Sequence, residues 1–187
     1  MDDDENWTGG FYELCLVLGA ADDDNLDRAV RSVWRAAAIQ GSRARRVDAA
    51  GFVDVELSAA ALHAHGHLHG MLTLPSGARV VCGGFVYRHD DVDTLELYLP
   101  LGALARVECR IGGYPFDEHS GPASLAWRAG LDQWLADIAA AVYAEMRFQR
   151  AVIGFEVDEA HDITADKRYA AVLVPGPDGL DYRPATA

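Results

Sequence analysis

Residues 63–101 restrict the fold more than any other part of this chain, because they read as three strand-length runs joined by short turns. The runs are HAHGHLHGMLTL, ARVVCGGFVYRH and TLELYLPL, separated at Pro75-Ser76-Gly77 and at DDVD, residues 90–93. Strands connected this tightly pair as an antiparallel meander. A three-residue loop at Pro75 to Gly77 pairs Leu74 with Ala78, so His69 falls opposite Gly83, His67 opposite Phe85, His65 opposite Tyr87 and His63 opposite His89. Two faces follow. Leu68, Leu72, Leu74, Val80, Cys82 and Val86, continued by Leu95, Leu97, Leu99 and Leu101, form the side expected to be buried. The histidine row, Met71, Phe85, Tyr87, His89, Thr94, Glu96 and Tyr98 form the side expected to be open.

The flanking segments supply the layers around this meander. FYELCLVL at 11–18 is apolar at both parities, as a central strand buried on both faces requires. Asp22, Asp23 and Asp24 then cap a helix whose Leu26, Val30, Val33, Trp34 and Ala37 recur at helical spacing up to Gly41. SRARRVDAAG reads as a polar connection and GFVDVEL as a short strand. After the loop IGGYPFDEHSGP, a helix over about 122–147 carries the stripe Leu131, Trp134, Leu135, Ile138, Val142 and Met146. AVIGFEVD and RYAAVLVP are two further strands, separated by EAHDITADK. The expected fold is α+β: a mostly antiparallel β-sheet of six or seven strands with two main helices packed on one face. Residues 1–10 are expected to be a flexible acidic leader, 11–175 a single globular domain and 176–187 a C-terminal tail. A chain of 187 residues is long enough to bury about 70% of its unfolded surface without staples.

Charge narrows the partners. Asp and Glu outnumber Lys and Arg by 29 to 16, a formal net charge of −13, which repels nucleic acid and anionic lipid and favours a basic protein partner. Cys15, Cys82 and Cys109 are odd in number and lack a C-x-x-C pair, which fits a reducing compartment. MDDDENW has no signal-peptide character and no apolar run reaches a bilayer-spanning length, so the expected location is the cytoplasm, with no membrane partner.

The histidines are the candidate metal ligands. Alternate strand residues lie about 6.6 Å apart, so two imidazoles can share an ion while a row of four cannot. The candidate set is His63, His65 and His67 with the cross-strand His89, leaving His69 out, for a divalent transition metal such as Zn, Ni or Cu. Metallo-hydrolase patterns with an interposed Asp, H-E-x-x-H, and a cupin-like H-x-H followed by Glu are absent. The alternative without an ion is a set of half-buried imidazoles stacked on Phe85 and Tyr87. Proton sensing is a further use of such a row, since charging all seven histidines moves the net charge from −13 to −6.

Catalytic constellations are not found. Cys82 faces the expected core, His119 and Ser120 in DEHSGP do not make G-x-S-x-G, and Gly112, Gly113 and Gly121 do not make a phosphate loop. Asp22 to Asp24 are accounted for by capping, and Glu156 with Asp158 by a solvated strand edge. Arg28, Arg31, Arg35, Arg43, Arg45 and Arg46 form a local basic series, read as a solvated surface paired with nearby acids. In size and charge alone the chain resembles small acidic immunity or inhibitor proteins. The sequence therefore points to a non-catalytic binding module with no expected cofactor, acting through the open face, with Phe85, Tyr87, Glu96 and Tyr98 as its binding surface, or through its acidic loops. A metal-binding protein or metal-dependent enzyme using the histidine row, with Glu96 as a candidate acid or base, is the alternative.

Overall fold

A computed structural model describes residues 3–47, 50–111, 121–157, 169–177 and 179–186. The strands are β1 (Phe11–Ala20), β2 (Gln40–Arg45), β3 (Phe52–Asp54), β4 (His67–Thr73), β5 (Arg79–His89), β6 (Val92–Pro100), β7 (Arg150–Phe155), β8 (Ala171–Gly176) and β9 (Gly179–Arg183). They form one nine-stranded sheet in the order β3-β2-β4-β5-β6-β1-β7-β8-β9, antiparallel at every junction. The helices are α1 (Asp23–Ala36), α2 (Ala59–His65), α3 (Leu101–Ala105) and α4 (Gly121–Glu145), with a 3₁₀ turn at Asp4–Trp7. The α+β class and antiparallel sheet are as the sequence indicates, with nine strands in place of six or seven and four α-helices in place of two.

β1 is central, as its two apolar parities imply. Tyr12, Leu14, Leu16 and Leu18 enter the main core with Leu95, Leu97 and Leu99 of β6, and with Leu26, Val30, Val33 of α1 and Leu135, Ile138, Val142 of α4. Cys15 and Val17 point the other way, into a second cluster with Val152, Val157, Ala170 and Val172. That second cluster corrects the expectation of an open face: Thr94, Glu96 and Tyr98 are buried, and exposed groups remain toward the ends of the sheet, on the β3-β2-β4-β5 side and at Asp181 and Arg183 of β9.

Local chemistry explains each boundary. Asp22 caps α1 by accepting from the backbone N–H of Asp24 at 2.9 Å and of Asn25 at 3.0 Å. The helix ends at Ala37 and Ala38, the latter at φ 51°, before Gly41. The β4–β5 register is the one deduced from the turn, with His69 opposite Gly83 and His67 opposite Phe85. The pairing stops there. Ser58 caps α2 through Ala61 N–H, the alanine-rich run continues to His65, and Gly66 at φ 75° turns the chain into β4. His63 and His65 are therefore helical and do not oppose His89 and Tyr87.

Other corrections follow from pairing across distance. SRARR is not a connection but part of β2, a polar strand held between β3 and β4, with Arg43 Nε donating to Asp54 Oδ1 at 2.8 Å. Leu101 opens α3, although its side chain still enters the core. The tail contributes β9, whose Leu180 and Tyr182 pack on the main core. Within the acidic leader, Asp4–Trp7 forms a 3₁₀ turn capped by Asp3, and Arg106 reaches Asp3 at 2.7 Å and Glu5 at 2.8 Å. Glu156 lies beyond the end of β7 at φ 45°. Gly112, Gly113, His119, Ser120, Asp158 and the whole EAHDITADK segment lie outside the described residues.

The α4 stripe carries a buried polar pair that apolar periodicity does not reveal. Arg128 and Asp132 are both buried, Tyr12 donates to Asp132, and Arg128 Nη1 donates to the Tyr169 carbonyl at 2.6 Å. Burial pushes the Asp132 carboxyl up from 3.8 to about 6, against the lowering by the Tyr12 hydrogen bond and the Arg128 charge. The folded state thus binds this proton more tightly than the unfolded state, and the associated stability is full below pH 3.8 and lost as pH rises through about 6. In urea titrations, wild type should lose stability relative to Asp132→Asn over that interval; a flat difference would remove the assignment. The β5–β6 hairpin makes a second prediction. Asp90 and Asp91 sit at φ 48° and 58°, the type I′ pattern in which glycine carries no Cβ penalty. Asp91→Gly is expected to stabilise the chain by about 0.5 kcal/mol in the same assay.

Candidate functional site

The side-chain cluster with the most recognition chemistry lies on the sheet face opposite the helices and is built around a glycine. Gly83 on β5 faces Tyr98 on β6, and a β-carbon at Gly83 would collide with the Tyr98 ring. The missing side chain lets Tyr98 lie across β5 and bring its hydroxyl to 3.2 Å from His67 Nδ1 on β4. Phe11 at the start of β1 packs on the other side of Tyr98, with ring centroids 4.4 Å apart. His67 also contacts Phe85, its cross-strand partner, at 4.9 Å.

His69 extends the cluster toward the sheet edge. Its ring stacks with His67 at 6.1 Å, meets Trp7 edge-on at 4.9 Å and meets Phe52 at 5.0 Å. A carbonyl only accepts, so His69 Nδ1–H donates to the Arg43 carbonyl 3.3 Å away and the tautomer is set. Burial among these rings depresses the His69 pKa from 6.5 to about 4, the hydrogen bond to Arg43 opposing the shift. Desolvation lowers His67 as well, so both imidazoles are neutral at neutral pH. Arg45 stands over the rings of Trp7 and Phe52 at 5.9 and 5.4 Å. Trp7, Phe11, Arg45, His65, His67, His69 and Tyr98 line a shallow recess of about 290 Å³.

The expected metal ligands separate. His65 and His67 reach this recess, from α2 and β4. His63 turns to Asp23 at 3.3 Å, beside Arg88, which itself bonds Asp23 at 2.8 Å and buried Asp93 at 2.6 Å. His89 is at the far end of β5, stacked with Tyr87 at 5.8 Å and 3.4 Å from Asp90. Among the described residues, no group of three or more His, Cys, Asp or Glu is placed to hold a metal ion. Of the expected binding residues, Phe85 and Tyr98 join the recess cluster, Tyr87 is exposed beyond it and Glu96 is buried. Cys82 is core-facing as expected, and burial raises its thiol to about 12, far from a reactive thiolate.

Sequence reasoning missed Trp7, Phe52 and Arg45 and set His69 aside. Trp7 stood in an acidic leader, and Phe52 and Arg45 flanked a segment with no apolar alternation. An aromatic residue amid strongly polar neighbours was the available signal at Trp7 and Phe52. The chain matches no protein-family model, and no curated protein or solved structure is detectably similar to it. No helix among the described residues is long and apolar enough to cross a membrane.

The depressed His69 pKa makes a prediction with a definite sign. Because the folded pKa lies below the unfolded value, the associated stability is present above pH 6.5 and lost as pH falls through about 4. The His69 ring protons followed by NMR should titrate near 4 in the native chain, and Phe52→Ala should move that midpoint upward by readmitting water. A native midpoint at 6 or above would contradict the burial of this ring.

Proposed function

We propose that this chain is a non-catalytic binding module that holds a protein partner at the recess lined by Trp7, Phe11, His67, His69 and Tyr98. The observation that carries this reading is the concentration of aromatic and imidazole rings, from exposed His67 and partly exposed Trp7 and Phe11 to buried His69 and Tyr98, with one arginine on the sheet surface. Trp, Tyr and Arg dominate binding hot spots because their broad, stiff surfaces bury much area for little lost conformational freedom. The strands beneath the recess bury their other face in the main core, so the rings are held in place before a partner arrives. A net charge of −13 adds long-range attraction for a basic partner, raising its rate of encounter.

A second reading keeps a transition metal, because three imidazoles, His65, His67 and His69, line the same recess. It requires them to converge beyond their present placement. Chain purified without a histidine tag separates the two readings. Binding of Zn, Ni or Cu near one equivalent with a rise in thermal midpoint would favour the metal, whereas less than about a tenth of an equivalent with no shift would remove it. For the protein-binding reading, the wild-type chain immobilised at low salt should retain a stoichiometric partner from native lysate. His67→Ala and Phe85→Ala should release it, while Arg147→Ala on the helical side should retain it. Equal retention by all variants would move the binding surface elsewhere.

A further inference from the structure

Arg45 differs from the other arginines around it in what its donors do. Arg43, Arg88 and Arg106 place guanidinium nitrogens 2.6 to 2.9 Å from carboxylate oxygens. Arg45 instead lies over two rings, its Cζ 5.9 Å from the Trp7 centroid and 5.4 Å from that of Phe52. Among the described residues none accepts a hydrogen bond from it, and its charged neighbour, Asp4, is 3.9 Å away on a side chain 96% exposed. Its side chain is 54% exposed beside the rings, which leaves its N–H groups open to a carboxylate arriving from solvent.

The space beside it sets the size of what arrives with that carboxylate. About 290 Å³ lies at the lower end of small-molecule sites and accommodates one aromatic ring with its attached groups. Trp7 and Phe11 offer ring surface there, His67 and His69 are neutral at neutral pH, and Arg45 brings a permanent positive charge to the recess. A polyanion such as a nucleotide would meet one cation and the repulsion of a chain at −13; a single carboxylate meets one cation.

We infer that the recess takes the C-terminal aromatic residue of the protein partner, its ring beside Trp7 and Phe11 and its terminal carboxylate on Arg45. This rests on the reading of the recess as the binding surface. A chain terminus carries ring and carboxylate on one residue, within the span of so small a site. It also provides the carboxylate whatever the partner's overall charge, so a basic protein attracted by the acidic chain can still supply the anion.

Titration of the ¹⁵N-labelled full chain, followed at the Trp7 indole N–H resonance assigned with Trp7→Phe, tests this. The probes are acetyl-Gly-Gly-Lys-Phe with a free carboxylate, the same peptide as its amide, and phenylacetate. The free-acid peptide should saturate the shift and bind at least about tenfold more tightly than the amide. Arg45→Gln, with its thermal midpoint checked against wild type, should weaken the acid to the level of the amide and leave the amide unchanged. Arg45→Lys should recover only part of the difference, since it restores charge without the fork. Equal binding of acid and amide, insensitivity to Arg45→Gln, or no saturable shift with any probe would overturn the inference. Phenylacetate binding as tightly as the peptide acid would overturn the protein terminus in favour of a small aromatic acid. Should partner capture depend on His67 and Phe85 while acid and amide bind alike, the occupant is wrong and the binding reading stands; should capture and probes both ignore the recess, both fall.

Discussion

The antiparallel pairing of β1 with β6 is the constraint on which the rest of this structure depends. It runs from Phe11 opposite Pro100 to Ala20 opposite Val92, and both strands are buried along nearly their whole length. Because strand side chains alternate, the pairing sends leucines of both strands to the helices and sends Glu13, Cys15, Glu96 and Tyr98 to the opposite face. A slip of one residue would exchange these sets and bury carboxylates against α1 and α4, so the register is strongly specified. The recess inherits that precision: Tyr98 can reach His67 only because β6 holds it beside Gly83.

The two faces solve different problems with the same strands. The helical face is a continuous apolar cluster, interrupted by Arg128 and Asp132 where α4 meets Tyr12. The opposite face is divided. Around β1, β7 and β8 it closes over a small apolar cluster, with the Glu13 carboxylate accepting from Val157 N–H at 2.9 Å. Toward β2 and β3 it thins into rings, imidazoles and the Arg45 guanidinium, and there recognition chemistry remains accessible. The polar strands at this end of the sheet make the division possible, since edge strand β3 has three residues and its neighbour β2 is rich in arginine.

Much of the fold was readable from residues alone. Two-residue alternation and the Pro75–Gly77 turn specified the β4–β5 register, and the Asp22 cap with its helical apolar spacing specified α1. The histidine row was misread because alternation at 63, 65, 67 and 69 is a strand pattern only if the backbone stays extended. Ser58 and the alanines at 59–61 and 64 favour helix, and Gly66 makes the break between the two conformations. β2 and β9 were missed because a polar strand and a proline-flanked edge strand carry no apolar period, and their identity comes from the neighbours they pair with.

What the sequence by itself determined was therefore local and periodic: the class of fold, the meander and its register, the capped helix, the core-facing Cys82, and the position of Phe85 and Tyr98 on one face. Tertiary structure decided what covers that face and what completes the recess. Trp7 comes from the first residues, Phe52 from edge strand β3, Arg45 from its neighbour β2 and His65 from a helix end, and their meeting depends on strand order and side-chain reach across tens of residues. Periodicity reports which way a side chain points relative to its neighbours in sequence. Long-range pairing alone sets what it meets there.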